Sequence, residues 1–169
     1  MEPVLEPAPV VVRLARADDF PAALDVWRRA NGARGRPPDA QRIIRVRAKL
    51  TAPDALLVIA GADTKVLGML LAEPGRDQDG RGPRLTGLCH ISMVFVHPEH
   101  WGRRVGELLI GYLVDQAGSH GFTRLQLWTG ADNDRALRLY RRVGFVPSGR
   151  VSRTADAVAI VQMVRSVAS

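Results

Sequence analysis

The residues able to do chemistry gather between His90 and Phe145. The stretch VHPEHWGRRVGELLIGYL, Val96 to Leu113, carries an apolar strand into an amphipathic helix through Pro98, Gly102, Arg103, Arg104 and Gly106. A helix N-terminus presents unpaired amide N–H groups and a partial positive charge, a ready site for an anion such as phosphate. Close approach of that backbone to a ligand suits glycine at 102 and 106, and the two arginines add charge at the rim. The same residues also fit a plain turn followed by a tight helix–sheet contact at Gly106. The pattern is neither G-x-G-x-x-G nor G-x-x-x-x-G-K-[ST], which argues against dinucleotide and P-loop sites.

Other candidates lie close by. His90 titrates near neutrality and sits on a strand, where it fits either a proton acceptor or a half-buried structural histidine. Plain alternation puts His90, Ser92, Val94 and Val96 on one face and Ile91, Met93 and Phe95 on the other, a parity that a bulge would break. Asn133 precedes Tyr140 by seven residues, about two helical turns, so the two share a helix face. Asn133 also suits a helix N-cap, and Tyr140 suits an ordinary half-buried core position. Cys89 is the single cysteine, with no histidine–acid pair arranged to activate it, and reads as a buried spectator. His97 and His100 flank a proline turn without a third ligand, so no metal site is expected.

These residues need elements to position them. Val10–Ala15 is β-rich and reads as a first strand; Asp18 or Asp19 can cap a helix near 20–30, which NGARGRPP breaks. A helix over about 39–50 follows, with Ile43, Ile44 and Val46 as its apolar stripe. ALLVIA and KVLGMLLA flank the turn-rich GADT and read as an antiparallel hairpin. EPGRDQDGRGPRLTG, residues 73–87, reads as a mobile loop before the strand at 88–96. The helix from Gly102 places Val105, Leu108, Leu109, Tyr112 and Leu113 on a buried face. FTRLQLWT is a strand, NDRALRLYRRVG an amphipathic helix stopped by Gly144, and FVPSGRV and AVAIVQMVR are closing strands. Strand–helix–strand order in the second half demands a parallel crossover, whereas the hairpins are antiparallel. The expected fold is α/β (α+β), a mixed sheet with helices on both faces.

Bulk properties set limits on partners. At 169 residues the chain fits one domain, expected over 10–169 behind a flexible, proline-bearing arm at 1–9. Hydrophobic residues make up 46% and charged residues 24%, ordinary for a globular protein. No apolar run approaches the ~20 residues that span a bilayer, and the start lacks a basic, apolar leader. With one cysteine no intrachain disulfide can form, so a cytoplasmic location is expected. A net charge of +7 and a pI near 10.9 suggest an anionic partner. Nearly all of that charge is arginine, suited to planar phosphate contacts, and only Lys49 and Lys65 are lysine.

From His90 to Val146 the chain resembles the acetyl-CoA core of the GNAT superfamily of N-acetyltransferases. In that family a strand ending V-x-P leads to [QR]-x-x-G-x-[GA] and a helix; here Val96-His97-Pro98 is followed by Trp101, Arg104 and Gly106 at those loop positions. The family's later Asn, the Tyr seven residues on and G-F are matched by Asn133, Tyr140 and Gly144-Phe145. Trp101 and Arg104 depart from the pattern, replacing the usual Gln or Arg and the first glycine.

The resemblance implies a mostly antiparallel sheet of about six to seven strands, in which parallel strands at 88–96 and 122–129 splay apart to admit acetyl-CoA. Cofactor contacts then fall to Val94, Phe95 and Val96 along the strand and to Gly102, Arg103, Arg104, Val105, Gly106 and Glu107 at the diphosphate. Asn133 is implied to hold the cofactor arm. Arg135, Arg138, Arg141 and Arg142 read as a solvated face, one or two of which could touch the 3′-phosphate. Tyr140 becomes the general acid, protonated at neutral pH by virtue of a pKa near 10. His90 lies where some members carry a catalytic glutamate, making it the candidate base.

The expected reaction is direct transfer of acetyl to a primary amine of a small molecule or peptide, with no metal. Acidic residues in loops, Asp39, Glu73, Asp77 and Asp79, could draw a cationic amine. The alternative is a basic, non-catalytic module that binds nucleic acid or CoA on a degenerate form of the same fold. Dispersed charge and an aromatic content of 5% argue against nucleic acid. No membrane partner is expected, and a homodimer is left open.

Overall fold

The computed structural model describes residue 3 and residues 8–167. The arm expected at residues 1–9 lies for the most part outside the described residues. Strands β1 (Val11–Leu14), β2 (Leu56–Ala62), β3 (Lys65–Arg76), β4 (Arg84–Val96), β5 (Arg124–Gly130), β6 (Val146–Arg153) and β7 (Ala159–Ser166) form one sheet. Its order is β1-β2-β3-β4-β5-β7-β6, with every neighbouring pair antiparallel except β4–β5. Helices α1 (Phe20–Ala33), α2 (Ala40–Leu50), α3 (Val105–Ala117) and α4 (Asp134–Arg142) complete the fold in the expected element order.

Local signals set the helix starts. Asp39 accepts from the Arg42 amide at 2.8 Å and caps α2, while Asn133 accepts from the Ala136 amide at 3.2 Å and caps α4. Pro21 sits in the first turn of α1, where its missing N–H costs nothing. Apolar periodicity then decides which face is covered. Leu109 and Leu113 of α3 join Leu70, Ile91, Leu125 and Phe145 in a core on one side of the sheet. Trp27 and Val46 of α1 and α2 meet Ile59, Met69 and Leu71 in a second core on the other side. Each fully buried aliphatic side chain of this kind contributes about 1.5–3 kcal/mol.

Three expectations change. Ile44 points to solvent, 64% exposed, because Val46 and Leu50 set the buried line of α2; Leu108 of α3 is likewise 45% exposed. The loop expected over 73–87 is shorter, since β3 continues to Arg76 and β4 begins at Arg84. Pro74 is tolerated inside β3 because the register shifts between Pro74 and Arg76, where a ladder donor is not required.

Candidate active site

Parallel pairing of β4 with β5 runs from Leu88–Ile91 against Arg124–Leu127 and then stops. On the other edge of β4, Leu71 pairs with Met93 and Ala72 with Ile91, so Ser92 is an extra residue, a bulge. A bulge bends its strand and raises the local twist, and here it leads β4 away from β5. The gap is a cleft of about 240 Å³. It is lined from both faces of the sheet, which makes it a slot through the sheet and not a dent in one side.

The bulge also reverses side-chain parity. Ile91, Val94 and Val96 pack toward α3 and α4, whereas Met93 and Phe95 pack toward α1 and α2. His90 therefore shares a face with Met93 and Phe95, and Val94 and Val96 leave the face that plain alternation gave them. Val94 and Phe95 line the slot; Val96 lies just beyond it, its carbonyl accepting the Trp101 indole N–H at 2.8 Å.

From the α4 side, Asn133, Ala136 and Tyr140 reach the slot together. The Tyr140 ring stands edge-on to Phe145, with centroids 6.0 Å apart. Its hydroxyl has no hydrogen-bond partner among the described residues. Burial pushes the phenol up to about 12, with the nearby positive charge of Arg34 acting the other way. Tyr140 is thus a protonated donor at any pH the protein meets. From the opposite face come Arg34, Ser92, Met93, Phe95 and Trp128.

Beside the slot is the turn into α3. Gly102 has φ +81° and Arg104 φ +61°, both left-handed, so the turn asks for glycine at two positions and receives it at one. The amides of Arg104, Val105, Gly106 and Glu107 donate to no acceptor among the described residues. Free amides at the positive end of a 13-residue helix, flanked by the exposed Arg103 and Arg104, suit an anion such as a phosphate. Gly106 has a different reason: a Cβ there would lie 3.1 Å from Leu139 Cδ2 and 3.9 Å from Val94 Cγ1. It lets α3 and α4 close on the edge of the slot. The Glu107 carboxylate pairs with Arg142 at 3.3 Å, tying the two helices.

His90 does not line the slot. Its Nδ1 lies 3.2 Å from the Gln126 amide nitrogen, and Gln126 in turn accepts from Gln162 at 3.3 Å. Gln162 accepts from the Ser148 hydroxyl at 2.8 Å, and Ser148 accepts from the Arg150 amide at 3.1 Å. With each group used once, this chain makes His90 Nδ1 an acceptor and places the ring hydrogen on Nε2. Desolvation holds the imidazole below its ordinary pKa, against the pull of Glu73.

Glu73, paired in register with His90, accepts from the Ser92 hydroxyl and lies 3.6 Å from Lys49 Nζ. The other loop acids are engaged elsewhere. Asp39 caps α2, Asp77 accepts from the Gln78 amide, and Asp79 pairs with Arg150 at 2.8 Å. Cys89 is buried, its thiol pushed up to about 12 by desolvation and Glu73. His97 turns Nδ1 to the Glu99 amide, and no cluster able to hold a metal occurs among the described residues. Arg135 reaches Trp101, 5.9 Å from its ring, while Arg138 and Arg141 are exposed. A smaller hollow of about 170 Å³ beside β1 is bordered by the Arg13–Asp19 ion pair and by Asp63 and Lys65, where β2 turns into β3.

Motif reading missed Arg34, Ser92, Trp128 and Thr129. Trp128 and Thr129 had a signal, because ligands in such sheets bind beyond the carboxyl ends of parallel strands. Arg34 lies in NGARGRPP, the segment that ends α1, and no motif of its own singles it out.

Residues 20–145 match the family described as Acetyltransferase (GNAT) family. An uncharacterized N-acetyltransferase of Methanocaldococcus jannaschii is 34% identical over 58 residues, 34% of this chain; the match spans about a quarter, 26%, of that relative's length. The fold is similar to the ribosomal-protein-S18-alanine N-acetyltransferase of Escherichia coli, with TM-score 0.75, 18% identity, and 95% and 96% of the two chains covered. It is similar also to a Salmonella typhimurium protein solved with its cofactor acetyl-CoA, with TM-score 0.72, 19% identity and 96% of each chain covered. Among the described residues no helix is long and apolar enough to cross a membrane.

Proposed function

Because the chain belongs to the GNAT acetyltransferase family, we propose that it moves acetyl from acetyl-CoA to a primary amine by direct transfer. The supporting observation is the slot, whose lining comes from both faces of the sheet. Donor and acceptor can then enter from opposite sides and meet without an acyl-enzyme. The buried, unactivated Cys89 thiol agrees with that, since a nucleophilic cysteine needs a lowered pKa.

Bound acetyl-CoA supplies a thioester: the amine nitrogen bonds to the acyl carbon, the C–S bond breaks, and coenzyme A leaves with the electron pair. The free amides of residues 104–107, with Arg103, hold the diphosphate. Val94 and Phe95, on the β4 edge that β5 has left, offer backbone groups to the pantetheine arm, and a β4 N–H can face the acyl oxygen. Asn133 adds a polar contact while capping α4. Tyr140 gives its proton to the departing sulfur.

The proton lost by the amine belongs to the other face. His90 has its Nδ1 lone pair directed at Gln126, so it takes a proton only when the glutamine chain reverses. Glu73, reached through the Ser92 hydroxyl, needs no reversal, and we assign the base to that pair with His90 beside it. A small molecule or peptide acceptor and a cytoplasmic setting, where acetyl-CoA is made, belong to this reading.

The test is steady-state kinetics on a panel of amines, read as released thiol. Intersecting double-reciprocal lines are expected. Parallel lines would mean an acyl-enzyme and overturn direct transfer. Salt-sensitive binding of DNA or RNA without thiol release would favour the non-catalytic module instead.

A further inference from the structure

Among the described residues Arg34 is the one charged residue lining the slot. It follows α1, and its amide bonds the Asn31 carbonyl at 3.2 Å, so its backbone is held by the helix end. Its guanidinium lies 5.8 Å from the Phe95 ring centroid and 5.9 Å from that of Trp101. Trp101 is itself anchored by the indole bond to Val96. No carboxylate pairs with Arg34 among the described residues, as with most of the chain's arginines. A guanidinium stacked on aromatic rings keeps its N–H edge free and oriented, the geometry that grips a carboxylate or phosphonate through two parallel hydrogen bonds.

It comes from the α1 side of the slot, whereas Asn133 and Tyr140 come from α4. Phe95 packs with the α1 and α2 core, on the face from which the acceptor enters. The cofactor side of Trp101 has its own arginine, since Arg135 also approaches that ring and lies 3.9 Å from the Cβ position of Gly102. Among the described residues no acid lines the slot, so a purely cationic amine meets Arg34 there without a counterion. An acceptor that brings its own anion satisfies Arg34 and presents an amine toward Ser92 and Glu73.

We propose that Arg34 is a specificity residue that binds an anionic group on the acceptor, so that the preferred substrates are amines bearing a carboxylate or phosphonate. This rests on the transferase reading above.

The experiment compares matched acceptors by thiol release: amino acids against their carboxamides, ω-amino acids against the corresponding alkylamines, and aminophosphonates. The wild type is expected to favour the anionic member of a pair at least tenfold in kcat/KM. Arg34→Ala should lose at least tenfold on the anionic member and little on the neutral one, and Arg34→Glu should reverse the preference. Arg135→Ala, which removes a charge from the same tryptophan, should leave the ratio unchanged. Calorimetry should show acetyl-CoA affinity unaltered in both Arg34 variants. Equal losses on both members, weakened acetyl-CoA binding in Arg34→Ala, or turnover confined to neutral or polycationic amines would overturn the assignment. So would a protein that binds acetyl-CoA yet acetylates none of the anionic amines. A protein that fails to bind acetyl-CoA at all refutes the transferase reading itself, which the calorimetry separates from a fault in Arg34.

Discussion

Replacing Tyr140 by phenylalanine removes one oxygen from the slot and little else. The hydroxyl has no partner among the described residues, and the ring keeps its edge contact with Phe145. Stability should therefore stay within about 0.5 kcal/mol of the wild type. Acetyl-CoA affinity should change less than about threefold, because the diphosphate site proposed at the start of α3 does not include this hydroxyl. Turnover is another matter. With its pKa pushed up to about 12, the phenol at neutral pH is ionised in roughly one molecule in 10⁵, so the proton is almost always available. Losing a positioned acid lowers rates by about 10²–10⁴, so we expect kcat to fall at least a hundredfold, about 2.7 kcal/mol on the barrier. The assay is thiol release at saturating acetyl-CoA with the best acceptor from the amine panel, alongside a melting curve for each protein. The wild-type rate should also show no alkaline limb from this group below about pH 11, because burial holds the phenol up near 12. A kcat within about threefold of wild type in a folded Tyr140→Phe protein would remove the tyrosine from the mechanism.

Other perturbations should separate the site's parts. Glu73→Gln should cut turnover at least tenfold, whereas His90→Ala should cost less than about threefold; the reverse result would return the base to His90. Burial depresses the folded-state pKa of His90, so on acidification the unfolded chain takes up its proton first and stability falls as pH drops below about 6.5. His90→Gln should flatten that slope in urea titrations between pH 5 and 7, and an unchanged slope would show that His90 is solvated. Arg104→Gly should relieve the left-handed strain and stabilise the fold by up to about 1 kcal/mol, with destabilisation counting against the turn described. Gly106→Val should cost about 1–3 kcal/mol through Leu139 and lower turnover by shifting α4, as seen in melting curves and kcat together.

Much of this was legible because local chemistry and tertiary packing agree. Pro98 ends β4, Gly144 stops α4, and periodicity in VGELLIGYL places Leu109 and Leu113 inward, so element order followed from pattern alone. The Asn133–Tyr140 spacing puts both residues on the slot, whereas the motif from Val96 to Gly106 falls on the turn next to it. The rest depended on events a one-dimensional reading does not weigh. The extra residue at Ser92 inverts the parity of β4, and alternation cannot say where a bulge falls. Pro74 and Gly75 read as a loop, yet β3 runs through them on a shifted register. Gly106 fitted either ligand approach or a close helix–sheet contact, and the tightest neighbour, Leu139 of α4, belongs to neither and depends on the closure of α4 on α3. Arg34 joins the site solely because α1 ends above Phe95.

The central claim is that the start of α3 grips the diphosphate of coenzyme A and thereby lays the thioester in the slot beside Tyr140. A crystal structure grown with saturating coenzyme A tests it directly. The account predicts diphosphate oxygens accepting hydrogen bonds from amides within residues 104–107 and the sulfur within reach of the Tyr140 hydroxyl. Coenzyme A bound elsewhere, or density lacking for it at the α3 turn despite saturation, would contradict it.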